Sequence, residues 1–283
     1  MAGGERVRPA NPLWRRLLRQ WRRWRGADMV KTHTVQIVER DGRRFKRVEF
    51  QSVEEAGQVA RCLSDLSGLD RFPRLQSRRG PVLEVEFIAG PLARVDRPED
   101  HQAVAEFFVD LYAGQPRRPV ATATTGMARA LAPDLEFLVA AGLIDSSEAD
   151  RLRALAGTWQ PNRVWLGHDY IDPIARNFVI RQGRAMAIDI EALCPDQPLG
   201  QGLSKATLRW LKQPAAQIVA ALSPRCGEDL AAQLPWVRLC FTVAYFRQKL
   251  AQRKPGHIRV EALTGLGRID KPRNNKPRQR RGL

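Results

Sequence analysis

The densest group of residues able to do chemistry runs His168-Asp-Tyr-Ile-Asp-Pro-Ile-Ala-Arg-Asn-Phe-Val-Ile180 and resumes at Ala187-Ile-Asp-Ile-Glu191. Asp172 and Asn177 flank a short loop that leads into a strand-like run, and Asp189 stands in an apolar run at the end of the partner strand. Asn177–Arg181 and Arg184–Ile190, joined through Gln182-Gly183, have the pattern of a hairpin. A hairpin returns its second strand to the start of its first, so Asp172, Asn177 and Asp189 can converge. Two carboxylates and an amide oxygen are the hard ligands that Mg²⁺ carrying a phosphate chain would use. A carboxylate among apolar neighbours is costly to bury unless paired or metal-bound, which gives Asp189 a functional reading. The alternative is that Asp189 and Glu191 are turn and cap residues on an exposed strand face. The other chemistry-bearing residues are scattered. His33, His101 and His257 read as surface or cap residues. Cys62, Cys194, Cys226 and Cys240 form no C-x-x-C pair, which argues against structural zinc and for reduced thiols in a cytoplasmic protein.

Several elements must hold this group. His33–Val38 alternates like a strand, Asp41-Gly42 marks a tight turn, and Arg44–Phe50 reads as a second strand. Ser52 with Glu55 three residues on makes a capping box, opening a helix whose buried stripe is Val53, Ala56, Val59, Ala60, Leu63 and Leu66. Pro81–Ile88 is a further apolar strand ending at Gly90-Pro91. Beyond about residue 100 the periodicity turns helical over Pro98–Tyr112, Pro133–Ala141, Ser146–Gly157, Ser204–Ser223 and Gly227–Arg253, with Pro214 breaking or kinking the fourth. Trp159, Trp165, Trp210 and Trp236 read as core. The expected fold is α+β and two-lobed: a small antiparallel-sheet lobe over 27–92, then a larger helical lobe over 93–255 carrying the loop and hairpin.

Charge lies mostly outside these lobes. The 283 residues carry 47 Lys and Arg against 30 Asp and Glu, a formal +17. Residues 1–25 hold eight Arg and one Glu, and residues 268–283 seven basic groups and one acidic, so the 242 residues between keep a net of only +4. A nucleic-acid binder spreads charge along a face of its fold, so nucleic acid is a less favoured partner. Within 1–26, Leu13, Trp14, Leu17, Leu18, Trp21 and Trp24 recur at helical spacing with Arg15, Arg16, Arg19, Arg22 and Arg23 mostly between them. An Arg/Trp amphipathic helix over 11–25 suits an anionic membrane surface; packing on the protein's own body and contact with RNA are the alternatives. The stretch 256–283 reads as a basic disordered tail. The longest apolar run, Phe137 to Ile144, is eight residues, short of the roughly 18 that a bilayer span needs. No secretory signal follows the basic N-terminus. The expected location is cytoplasmic, peripheral on the inner face of the cytoplasmic membrane.

Asp172-Pro-Ile-Ala-Arg-Asn177 resembles the D-x-x-x-x-N catalytic loop of the protein-kinase-like phosphotransferases, and Asp189 stands where that superfamily keeps its metal-binding Asp. Ile188-Asp-Ile-Glu191 is similar to the bacterial branches. Val82–Gly90 resembles the strand and hinge lining the adenine pocket, which makes Glu86 and Ile88 candidate nucleotide contacts. Phe45-Lys46-Arg47-Val48 resembles the strand bearing the phosphate-pairing Lys, with Glu55 its best-placed partner. The ordered set covers roughly residues 30–250. In size and style the chain is similar to the bacterial lipopolysaccharide-core kinases of heptose or Kdo sugars, and also to aminoglycoside and choline kinases. The resemblance implies ATP and Mg²⁺, with Asp172 as base, Asn177 and Asp189 on the metal, and Lys46 held by Glu55 on the phosphates. The implied acceptor is a sugar, free or lipid-linked. The chain departs from the pattern in having no Gly-rich loop and Tyr170 where a His is usual. Asp169 offers a rival alignment for the base, with Asp172 preferred for its spacing to Asn177. A small-molecule kinase, or an inactive kinase-fold protein binding RNA or lipid, is the alternative function.

Overall fold

Seven residues of alternating character, a two-residue turn and seven more begin the small lobe: β1 (Thr34–Arg40) and β2 (Arg43–Glu49) pair antiparallel across Asp41-Gly42. Both turn residues have positive φ, 49° and 70°, the twist that two-residue hairpin turns require. The computed structural model describes residues 33–212 and 215–267; the amphipathic segment expected over 1–26, the basic run from Arg268 and Pro214 lie outside the described residues. After β2, Ser52 caps α1 (Val53–Asp65), its Oγ accepting from the Glu55 amide at 3.1 Å. Ala56, Val59, Ala60 and Leu63 bury on the sheet as their spacing predicts, and Leu66 just beyond the helix joins them. Val53 does not: it is the first helical residue and is 45% exposed. β3 (Leu75–Arg79) and β4 (Val82–Glu86) complete an antiparallel sheet in the order β1-β2-β4-β3. β3, Leu-Gln-Ser-Arg-Arg, has one apolar residue in five and so no alternation to mark it as a strand.

The larger lobe opens with α2 (Pro98–Ala113), followed by β5 (Arg118–Ala121), α3 (Gly126–Ala140) and α4 (Ser146–Trp159). Next come β6 (Arg163–Tyr170), the hairpin β7 (Phe178–Arg181) and β8 (Arg184–Ala187), and β9 (Leu193–Pro198). It closes with α5 (Gln201–Arg209), α6 (Ala215–Cys226), α7 (Glu228–Ala251) and α8 (Glu261–Thr264). Three expectations are corrected here. α3 starts seven residues before Pro133, which it carries inside, because Thr125 supplies the cap by accepting from the Ala128 amide at 3.2 Å. The helix read over Ser204–Ser223 is broken, as expected, into α5 and α6. The lobe holds a three-stranded sheet, β5-β6-β9, in addition to the hairpin. Residues 256–267 are folded, with Leu263 and Leu266 buried and their carbonyls accepting from Arg151 at 3.1 and 2.8 Å.

One apolar cluster runs through both lobes, from Val48, Leu83 and Val85 of the small sheet to Phe107, Tyr170 and Phe178. Phe72, on the connection between α1 and β3, lies 5.4 Å from the Phe107 ring and 6.2 Å from Tyr170. Beside it the buried Arg71 donates to Asp110 of α2 at 2.8 Å and to the Ala185 carbonyl of β8 at 3.1 Å. α7 is buried around most of its circumference, and its Gln233 takes the Trp165 amide at 2.7 Å and donates to the Leu199 carbonyl at 2.9 Å, tying β6 to the corner before α5. Of the tryptophans expected in the core, Trp236 is fully buried and Trp159, Trp165 and Trp210 are half-buried. His101 is buried, contrary to its surface reading; its ring accepts from the Lys212 amide at 3.1 Å.

Candidate active site

The loop between β6 and β7 is held from inside by its own amide and carbonyl groups. Asn177 donates through Nδ2 to the Asp172 carbonyl at 2.8 Å, the Ile174 amide reaches the same carbonyl at 2.9 Å, and the Asn177 amide closes on the Ile174 carbonyl at 2.9 Å. The Asn177 carbonyl accepts from the Ile188 amide at 2.9 Å and from the Tyr170 hydroxyl at 3.3 Å. Asn177 therefore joins the loop backbone at Asp172 to the residue just before Asp189. Asp189 sits at the turn after β8, N-terminal to the short helical turn Ile190–Ala192, and not in the strand itself.

α5 supports the loop from the other side. Gly200, at φ 112°, and Gly202 present their amides to the Asp169 Oδ2 at 3.2 and 3.0 Å. A Cβ at Gly202 would lie 2.1 Å from the Tyr170 carbonyl, so only glycine allows this approach. Asp169 also accepts from the Tyr112 hydroxyl at 3.0 Å and the Tyr170 amide at 2.8 Å. Burial pushes its carboxyl up to about 6, the four donors opposing that shift. One turn along α5, Lys205 donates to Asp172 Oδ1 at 2.6 Å and to the Ile171 carbonyl at 3.2 Å, and Trp210 donates to the Pro173 carbonyl at 2.7 Å. Asp172 is the exposed member of the acidic pair and Asp169 the enclosed one.

From the small lobe, Lys46 on β2 reaches across to the Ile188 carbonyl at 2.9 Å and the Glu191 carboxylate at 3.0 Å, with Asp189 Oδ1 at 3.6 Å. The expected Lys46–Glu55 pair is not formed. Glu55 is occupied at the start of α1, accepting from the Gln51 amide at 3.2 Å and meeting His33 Nε2 at 2.9 Å. Glu191 takes the place given to Glu55, and its spacing two residues from Asp189, on the same turn, was the signal available for it. Burial raises the Glu191 carboxyl, but hydrogen bonds with Asp189 and Lys46 outweigh that and hold it below the usual range.

Between the lobes, Ile88 packs with Val179, Met186 and Ile188, an apolar patch beside Asp189. The connection lies on β7 through Ala93 and Ile180 amides donating to Phe178 and Pro91 carbonyls, both at 2.9 Å. Gly90, at φ 152°, permits this, since a Cβ there would stand 2.6 Å from Val179. Glu86 turns away from the patch, its carboxylate 3.5 Å from the Arg74 amide. Ile88 is thus brought beside Asp189. Among the described residues no cluster of three His, Cys, Asp or Glu side chains forms a ready metal site. The oxygen donors present are the carboxylates of Asp189 and Glu191 and the Asn177 amide, the hard set that fits Mg²⁺ arriving with phosphate oxygens.

Solved structures share this arrangement of lobes. An aminoglycoside phosphotransferase from Alicyclobacillus acidocaldarius is similar at TM-score 0.53 and 15% identity, covering 92% of this chain and 92% of that one. The macrolide 2'-phosphotransferase type I gives TM-score 0.51 and 13% identity over 92% and 99% of the two chains. The fold is that of the protein-kinase-like phosphotransferases. A thermostable aminoglycoside phosphotransferase mutant in ternary complex with AMP-PNP and hygromycin B is also similar, at TM-score 0.53 and 15% identity over 85% and 92%. No family model matches the sequence, and no curated protein does. The expected two-lobed α+β architecture is borne out, and with it the kinase-like order of strand, helix, connection, loop and hairpin.

Proposed function

We propose that the chain is an ATP- and Mg²⁺-dependent phosphotransferase acting on the hydroxyl of a small-molecule acceptor. The observation that carries this reading is the meeting of Lys46 from one lobe with Asp189 and Glu191 of the other beside the apolar patch around Ile88, with Asn177 linking the Asp172 loop to the residue before Asp189. Asp172 is the base. Its Oδ1 is held by Lys205, and its Oδ2 takes the acceptor's proton as the new O–P bond forms. The bond from the γ-phosphorus to the bridging oxygen breaks, and ADP leaves with the electron pair. Its burial and its four donors speak against Asp169 in that role. Lys46, oriented by Glu191, turns to the nucleotide phosphates. Asp189 and Glu191, with the Asn177 oxygen, would hold Mg²⁺, which when bound would neutralise phosphate charge. Phosphoryl transfer needs little beyond such positioning and neutralisation.

Similarity of fold to aminoglycoside and macrolide phosphotransferases supports a small hydroxyl-bearing acceptor over any single named sugar. A lipid-linked sugar such as one of the lipopolysaccharide core is a second reading, favoured by the Trp and Arg pattern of residues 11–25, which suits an anionic membrane face. Among the described residues no helix is long and apolar enough to cross a membrane. Titration calorimetry with Mg·ATP, and phosphate transfer to a panel of an aminoglycoside, a macrolide, choline and a lipid-linked core sugar, test both. Asp172→Ala is expected to keep Mg·ATP binding and lose transfer by about 10²–10⁴-fold, the usual worth of a positioned base. Asp189→Ala is expected to lose Mg-dependent nucleotide binding. Absence of nucleotide binding in the intact protein would overturn the proposal.

A further inference from the structure

Lys205 belongs to neither the loop nor the hairpin, yet its ammonium makes the shortest polar contact to the proposed base, 2.6 Å to Asp172 Oδ1. The contact is built in by the fold. α5 is anchored one turn earlier, where the Gly200 and Gly202 amides close on Asp169, and again at Trp210, whose indole donates to the Pro173 carbonyl. The intervals match: Asp169 to Asp172 on the chain leaving β6, and Gly202 to Lys205 on α5, are each three residues, so one helix face follows the loop from buried acid to exposed acid. A lysine ammonium carries three donors. Two of them are used, on Asp172 and on the Ile171 carbonyl, and the third has no protein partner among the described residues. The Lys205 side chain is 21% exposed, and Asp172 is 38% exposed beside it.

We infer that Lys205 is a catalytic residue of this site: its third N–H donates to an oxygen of the phosphoryl group in flight between nucleotide and acceptor. This rests on the phosphotransferase reading above. The atoms balance as in that reading: the acceptor proton goes to Asp172 Oδ2, the O–P bond to the acceptor forms, and the bond to the ADP oxygen breaks. Lys205 neither gains nor loses a proton. It stays a cation beside the three equatorial oxygens, where negative charge is spread during transfer, and a fixed cation there acts on the transition state more than on bound ADP. Lys46, oriented by Glu191, serves the nucleotide phosphates in the reading above and Lys205, on Asp172, the group in transit, so the two lysines divide the phosphate chain between them.

The test separates ground state from transition state with two probes, Mg·ADP and Mg·ADP with fluoroaluminate, which mimics the phosphoryl group in transit. The intact protein is expected to bind the second at least tenfold more tightly than the first. Lys205→Met is expected to keep Mg·ADP affinity within about twofold and to lose that gain, and Lys205→Arg to recover part of it. If Lys205→Met keeps the whole gain, the inference is overturned while the phosphotransferase reading stands. If the intact protein binds neither probe, the reading fails and the inference with it. If Lys205→Met loses Mg·ADP as well, Lys205→Arg decides. Recovery of both affinities supports the inference; recovery of Mg·ADP alone overturns it.

Discussion

Asp169 and Asp172 are three residues apart and live in opposite surroundings. Asp169 is fully enclosed with four donors on its carboxylate; Asp172 is partly exposed, with one oxygen on Lys205. Sequence spacing alone left both open as the base, because the two short intervals to Asn177 differ only by three residues and burial is not written in either. The enclosed acid makes a pH prediction. Its folded value, about 6, lies above the ordinary 3.8, so between those values the folded state binds more protons than the unfolded chain. Stability contributed by this group therefore falls as pH rises from about 4 to about 6 and is level above that, a change on the order of 3 kcal/mol. Asp110 and Glu191, whose values are lowered, act in the opposite sense. The comparison that isolates Asp169 is thus the intact protein minus Asp169→Asn, measured by urea denaturation at each pH. A constant offset is expected from the amide's poorer acceptor set, and the informative quantity is the slope. A difference that stays flat from pH 4 to 7 would show that Asp169 does not titrate there.

At the scale of elements, α5 decides the geometry of the site, and it was only half legible. Its apolar spacing predicted helix, but what aims it is a close approach that needs Gly200 at positive φ and no side chain at Gly202. Neither glycine stood out in a sequence of 21 glycines. β1, β2, α1 and the β7–β8 hairpin were readable because alternation, turn residues and caps agree there. β3, β5 and β9 were not: β3 has one apolar residue in five, β5 is four residues long, β9 carries two prolines and an Asp, and β5 and β9 exist through pairing with β6, distant in sequence. The α5 argument has a direct consequence. In Gly202→Ala the new methyl must displace either the helix or the Tyr170 carbonyl, which are both packed in the core. A stability loss of about 1–3 kcal/mol is expected, the cost of overpacking, together with a fall in phosphate transfer larger than any fall in Mg·ADP affinity, because Lys205 moves with the helix. A stable variant with unaltered transfer would mean that the site does not depend on this approach.

Over the whole molecule, what the sequence conveyed best was the order of parts and what it conveyed least was which part reaches which. Lys46 was recognisable on its strand, but its partner is Glu191, in the other lobe, because Glu55 is committed to His33 and the start of α1. Among the described residues the polar contacts that join the lobes include Lys46 on Glu191, His168 between Asp65 and Cys62 of α1 at 2.9 and 3.4 Å, and Arg71 on Asp110 and Ala185. Beneath them runs the common core around Phe72, Phe107 and Tyr170. Two lobes sharing a core and a buried arginine cannot separate without exposing both, so unfolding of residues 33–267 is expected to be one cooperative transition in urea, coincident by fluorescence and circular dichroism. A nucleotide bridging Lys46 and Asp189 would bind only when both lobes are folded and docked. Mg·ADP at about 100 times its dissociation constant should therefore move that single transition by about 2.7 kcal/mol without splitting it. Two transitions, with only one of them displaced by Mg·ADP, would place the nucleotide on one lobe alone and refute a site assembled from both.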